Sequence, residues 1–161
     1  MSVIIRNIQP EDNVELARII RESLMEFGVP KIGSVYSDPD TDRLFQLFEE
    51  APASCYFVAE ENGQLIGGCG VYPTPGLPVG YAELVKLYLT PATRGRGIGK
   101  MMMDKCYDAA KKLGYTHLYL ESFPQLAKAV SVYKKAGFKP LDGPMGNSGH
   151  FAVTIWMLKE L

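Results

Sequence analysis

The stretch "AELVKLYLTPATRGRGIGK", residues 82–100, changes character twice. Apolar and β-favouring residues run up to Thr90 and read, with Tyr81, as a strand over residues 81–90. After Pro91 three glycines and three cations fall between Arg94 and Lys100. Then Ile98, Met102, Cys106, Ala109 and Leu113 recur at three- and four-residue steps, which predicts an amphipathic helix ended by Gly114. Glycines between a strand and a helix let several backbone N–H groups converge where the helix N-terminus adds about half a positive charge. Such a turn suits phosphate, with Arg94, Arg96 and Lys100 supplying mobile positive charge; a solvated basic turn is the plain alternative. Spacing removes two nucleotide readings. Three residues, not four, separate Gly95 from Gly99, and Met101 rather than Ser or Thr follows Lys100, so this is no Walker A loop. Gly95-x-Gly97-x-Gly99 also misses the dinucleotide fingerprint.

Upstream, residues 2–8 alternate as a strand, and Pro10-Glu11-Asp12 opens a helical period through Leu16, Ile20, Leu24 and Phe27. Asp38-Pro39-Asp40 predicts the start of a second helix, with Leu44, Leu47 and Phe48 as its stripe, ending before Pro52. Residues 54–60 and 64–72 read as a hairpin turning at Asn62-Gly63, and "PTPGLPVG" as a loop. Downstream, "THLYLES" is a strand and residues 125–136 are a helix capped by Gly137. Residues 138–141 and 150–158 are strands. The order β α α β β β α β α β β gives an α/β fold with a mixed sheet, whose unit over residues 81–121 is parallel and right-handed.

At 161 residues and 47% hydrophobic content, one domain over 1–161 is expected. A net charge of -1, from 17 Lys plus Arg and 18 Asp plus Glu, argues against nucleic acid and anionic membrane as partners. Cys55, Cys69 and Cys106 form no Cys-x-x-Cys pair and read as reduced core thiols; two isolated histidines make no metal set. With no apolar leader and no run of about 18 apolar residues, the expected location is the cytoplasm.

Arg94, Gly97 and Gly99 match the Gln/Arg-x-x-Gly-x-Gly/Ala acyl-CoA signature of the GNAT superfamily of N-acetyltransferases. The preceding strand with Pro91 resembles that family's central strand, and "AVSVYKKAGF", residues 129–138, resembles its helix with Tyr followed by Gly-Phe. "THLYLES" lies between them as the family's order requires, and Lys128 stands where many members carry Asn. The resemblance implies a splayed mixed sheet of about seven strands flanked by about four helices, with acetyl-CoA as cosubstrate and no metal. It further implies an amine-bearing small molecule or peptide as acceptor, and a homodimer as one possible assembly. Leu87, Tyr88 and Leu89 would face the pantetheine arm, and Gly95, Arg96, Gly97, Ile98, Gly99 and Lys100, with Arg94, the diphosphate; Ser122 and Ala129 complete the implied cofactor site. A non-catalytic acyl-CoA-sensing module of the same fold is the alternative.

Strict alternation along residues 83–89 leaves both faces mixed, which either a β-bulge near Val85 to Leu87 or a strand buried on both faces explains. Glu83, on the central strand, is the candidate proton acceptor; the competing reading pairs it with Lys86. Tyr133 matches the family's general acid, against plain helix packing. His150, expected to begin the last strand, and Lys134 and Lys135 are weaker candidates. For the acceptor side, Tyr36, Tyr72 and Tyr81 are candidate walls, and Glu22, Glu26, Asp38 and Asp40 are candidate attractors of a cationic amine.

Overall fold

The computed structural model describes residues 2–161. Strands β1 (Val3–Asn7), β2 (Cys55–Glu61), β3 (Gln64–Tyr72), β4 (Tyr81–Leu89), β5 (His117–Ser122), β6 (Lys139–Pro140) and β7 (Ile155–Glu160) form one mixed sheet. Their spatial order is β1-β2-β3-β4-β5-β7-β6, with β4 and β5 parallel and the other pairs antiparallel. The helices are α1 (Asn13–Glu26), α2 (Leu44–Glu50), α3 (Ile98–Lys112) and α4 (Ala127–Lys135). The element order is the one the sequence predicts, and the β2–β3 hairpin turns where Asn62 (φ 53°) and Gly63 (φ 78°) both adopt the left-handed conformation.

Helices cover both faces of the sheet. Strand β2 shows how, sending Phe57 and Ala59 into a cluster with Ile98, Met102 and Cys106 of α3, and Tyr56 and Val58 into a second with Leu16, Ile20 and Leu24 of α1 and Leu44 and Phe48 of α2. The three cysteines are free thiols.

On β4 the alternation fails by one residue. Gly70 lies opposite Val85 but Gly68 opposite Tyr88, so two steps on β3 face three on β4. The extra residue makes a bulge, and Lys86 sits in it at φ 53°, in the left-handed region that costs a non-glycine residue about 1 kcal/mol or more. Leu84, Leu87 and Leu89 consequently face α3 while Val85 and Tyr88 face α1. Between the two sequence readings of this strand, the structure selects the bulge. Glycines opposite make it possible: a Cβ on Gly67 would lie 2.4 Å from the Tyr88 carbonyl and one on Gly68 2.5 Å from the Tyr56 hydroxyl. That hydroxyl donates to the Lys86 carbonyl at 2.8 Å and holds the bulge from behind.

Three expected boundaries move. The Asp38-Pro39-Asp40 segment forms a 3-10 turn, Pro39–Asp42, and breaks at Arg43 (φ -134°), so the second helix begins only at Leu44. The buried stripe of α3 ends at Ala110; Leu113 is the C-cap, one residue past the end of the helix, and is exposed although it continues the same face. The last strand starts at Ile155 rather than residue 150. The preceding segment bends instead against the loop after α1, where the Ala152 N–H donates to the Gly33 carbonyl at 2.8 Å.

Candidate active site

Strands β4 and β5 pair at Tyr81–His117, Ala82–Leu118 and Glu83–Tyr119, and beyond Glu83 they part. Leu87, Tyr88 and Leu89 therefore have β3 on one side and no strand on the other. Glu83, at the fork, is only 5% exposed. Its Oε1 accepts a hydrogen bond from the Thr74 hydroxyl at 2.6 Å, and Oε2 has no hydrogen-bond partner among the described residues. Burial, then the nearby charge of Glu121, pushes the Glu83 carboxyl up to about 7, against the opposing Thr74 hydrogen bond and the electrostatic influence of Lys86 and His150. The expected alternative for Glu83, an ion pair with Lys86, does not form.

A cavity of about 60 Å³ opens beside Glu83, with Lys86, Tyr88, Glu121 and His150 also on its wall and apolar residues from β4 and from the loops after α1, after β5 and before β7. His150 reaches it from the loop before β7, not from a strand, and its Nε2 meets Asp38 Oδ2 at 2.8 Å. That hydrogen bond holds the Asp38 carboxyl below its ordinary value.

The other expected acceptor groups are engaged elsewhere. Glu22 pairs with Arg18, Glu26 with Arg94 and Asp40 with Arg43. Tyr72 packs edge-on to Phe48, Tyr81 stacks on His117, and Tyr36 lies beside Lys31 and Arg21. The wall of acidic and aromatic side chains expected around a cationic amine is not what the fold builds here.

Tyr133 comes from α4, buried at the edge of Phe138 with ring centroids 5.9 Å apart. Its hydroxyl makes no hydrogen bond to the described residues, and burial pushes its pKa up. Tyr88 links the two candidates: it lines the cavity of Glu83 and lies close enough to Tyr133 to influence its ionisation. Tyr107 influences it too, and the Tyr107 hydroxyl is the buried side-chain polar atom left without a partner among the described residues. Ser122 closes β5 opposite Ile155, and Ala129 packs from α4 onto the α3-side core.

The glycine turn has the form of an anion cradle. Gly95 (φ 76°) and Gly97 (φ 79°) are left-handed, and a Cβ on either would meet nothing within 4 Å. Gly97 caps α3 without a side-chain hydrogen bond, and no acidic residue occupies the first turn, so the leading amides, those of Ile98, Gly99 and Lys100, point outward without an intrahelical acceptor. The cations are less mobile than the sequence suggests. Arg94 donates to Glu26 at 2.6 Å and to the Leu89 carbonyl at 3.0 Å, Arg96 meets Glu61 at 2.7 Å, and Lys100 meets Asp104 at 2.7 Å.

Thr74 and the pairing of Asp38 with His150 escape the sequence reading. The bulge that carries Lys86 has two local signals, the mixed faces of β4 and the three glycines of "LIGGCGVY", since glycines inside a strand mark a close backbone approach.

The chain matches the model of the acetyltransferase (GNAT) family over residues 17–138. It is 34% identical to the uncharacterized N-acetyltransferase YjgM of Escherichia coli (strain K12), over 99% of this chain and 96% of that protein. Among solved structures, the PaiA N-acetyltransferase of Thermoplasma acidophilum, in complex with coenzyme A, is 25% identical with a TM-score of 0.80, each chain covered fully. A GNAT-family acetyltransferase of Staphylococcus aureus Mu50 superposes with a TM-score of 0.86 at 19% identity, over 99% of both chains.

Proposed function

The chain belongs to the acetyltransferase (GNAT) family, and from that premise we propose that it moves an acetyl group from acetyl-CoA to a primary amine by direct attack with both substrates bound, on one domain spanning residues 1–161. Acetyl-CoA, when bound, supplies an acetyl group activated as a thioester. The residues present fit it. The amides of Gly95 to Lys100 would hold the diphosphate, and the unpaired side of Leu87, Tyr88 and Leu89 would hold the pantetheine arm, with Ser122 and Ala129 across the fork. That PaiA, of the same fold, was crystallised with coenzyme A supports this assignment.

The chain's own task is to manage protons. A lysine-like amine with pKa about 10.4 is neutral in roughly one molecule in 2,500 at pH 7, a penalty of about 4.6 kcal/mol. Glu83 Oε2 accepts that proton. A carboxyl held near 7 is about half ionised at neutral pH and still basic enough to take it, which an ordinary glutamate is not. Tyr133 holds its own proton firmly, because burial raises a phenol that already starts near 10. It is therefore suited to donate a hydrogen bond to a developing thiolate rather than to surrender the proton outright.

The observation that carries the proposal is the parting of β4 from β5 immediately beyond a buried carboxyl tuned to neutral pH. The test is a broad amine panel with acetyl-CoA, read by free thiol and product mass. Turnover with Tyr133→Phe should fall at least about tenfold while acetyl-CoA affinity changes less than about twofold. Saturable acetyl-CoA binding with no turnover on any amine would instead return the chain to a sensing module.

A further inference from the structure

The polar groups on and behind the wall of the Glu83 cavity divide into those already engaged and those left open. Asp38 accepts from His150 Nε2 at 2.8 Å and from the Asp40 N–H at 2.9 Å. Glu121 accepts from the Tyr119 hydroxyl at 2.7 Å and from the Ser148 hydroxyl at 2.6 Å, one on each oxygen. Asp40, just behind, meets Arg43 at 3.1 Å. Among the described residues, Glu83 Oε2 and the Lys86 amine remain without a hydrogen bond or ion pair; burial lowers the Lys86 pKa, and the charges of Glu83, Asp38 and Asp40 oppose that shift in favour of the ammonium. The Tyr88 hydroxyl is also open, but it is neutral and does not set the sign of a ligand.

An ammonium that is half-buried, lines a cavity and leaves three nearby carboxylates without touching them is an unfavourable arrangement unless an anion arrives. The backbone is committed to it as well. The Lys86 φ of 53° is maintained by the bulge and by the Tyr56 hydrogen bond to the Lys86 carbonyl, when a plain strand would have turned this side chain toward α3.

We infer that the acceptor is an amino acid or a close analogue, whose amine is received by Glu83 and whose neighbouring carboxylate is held by Lys86. The inference rests on the acetyltransferase reading and deepens it. Glu83 and Lys86 lie three residues apart on β4 and line the same cavity, so the two charged groups of the ligand are a few bonds apart, as in an α- or β-amino acid, with the rest of the molecule directed outward. Glu83 serves the cationic amine here, and the unpartnered Lys86 beside it fits the cavity to a zwitterion. Lys86 is a positioning residue here and Glu83 the proton acceptor.

The experiment measures kcat/KM with acetyl-CoA for matched acceptors: leucine against leucinamide, and β-alanine against β-alaninamide. The wild-type chain should prefer at least one acid over its amide by about thirtyfold or more, the scale of a charge-assisted hydrogen bond. In Lys86→Met that ratio should fall close to one, mainly through the KM of the acid, and Lys86→Arg should restore part of it. Thermal melts of the variants confirm that each is folded at the assay temperature. A wild-type ratio at or below one for both pairs overturns the inference, as does a ratio that survives Lys86→Met. Turnover of the amides with no preference for the acids sinks this inference and leaves the acetyltransferase reading intact, whereas no turnover with any amine removes both.

Discussion

Replacing Glu83 with glutamine tests the buried carboxyl without any substrate. The ordinary glutamate value is 4.5 and burial beside Glu121 lifts the folded one to about 7. A raised carboxyl pKa means that between those two values the folded chain binds more protons than the unfolded chain, so stability falls as pH rises through that window and levels off above it. At about 1.4 kcal/mol per pH unit, the ionised carboxylate costs the fold about 0.8 kcal/mol at pH 5, about 2 at pH 6 and about 3 at pH 8. The glutamine keeps the side-chain oxygen that accepts from Thr74 and carries no charge to desolvate. Urea titrations of both proteins at pH 5, 6, 7 and 8 therefore compare the same fold with and without the titrating group. The stability of Glu83→Gln relative to wild type should rise by about 2.5 kcal/mol from pH 5 to pH 8, or roughly 5–10 °C in Tm for a chain of this length. Titrating groups that do not interact with Glu83 cancel in the difference. A gap that stays constant within about 0.5 kcal/mol across that range, or that shrinks with pH, would show that Glu83 is not a neutral-pH carboxyl and would remove its role as proton acceptor. The same substitution should abolish a rise in kcat/KM centred near pH 7, measured with a saturating cosubstrate.

Three further perturbations probe the scaffold around that group. Tyr56→Phe removes the hydroxyl that holds the Lys86 carbonyl, and should cost about 1 kcal/mol by urea titration and raise the acceptor KM more than that of acetyl-CoA. Tyr107→Phe removes a buried hydroxyl that has no partner, so it should be neutral or stabilising by up to about 1 kcal/mol; a loss larger than that would reveal an unseen hydrogen bond. Gly97→Ala forces a side chain into a left-handed cap at φ 79° and should lower stability by about 1 kcal/mol, while calorimetry shows acetyl-CoA binding at least about tenfold weaker.

What the sequence discloses and what it withholds divide along the range of the interactions involved. Residues 82–100 carry their own signal, because a strand, a glycine turn and a helix start follow from neighbours in the chain and leave backbone amides open to an anion. The bulge is partly local: the mixed faces of β4 show in the sequence, but its resolution needs Gly67, Gly68 and Gly70 on β3 to admit the Tyr56 ring and the Tyr88 carbonyl. The acceptor side has almost no local signal. Asp38 and His150 lie 112 residues apart and Thr74 and Glu83 nine, and each pair forms only because the loop after α1, the loop after β3 and the loop before β7 converge on the end of one strand. Charges there cannot be counted from the sequence alone, since Glu22, Glu26 and Asp40 pair with Arg18, Arg94 and Arg43 in the structure.

The same division bears on how the two halves of the site can change. The proposed cofactor half depends on glycine φ angles and uncapped amides, so most side-chain substitutions would leave it intact. The acceptor half depends on a balance of side-chain charges in which each carboxylate but Glu83 is offset by a protein donor. Exchanging Lys86 for a neutral residue would leave a cavity whose remaining unpartnered charge is the Glu83 carboxylate, a site for a simple amine. One side chain, three residues from the proton acceptor on the same strand, is thus positioned to decide whether the acceptor must carry an anion, while the fold and the cofactor site stay as they are.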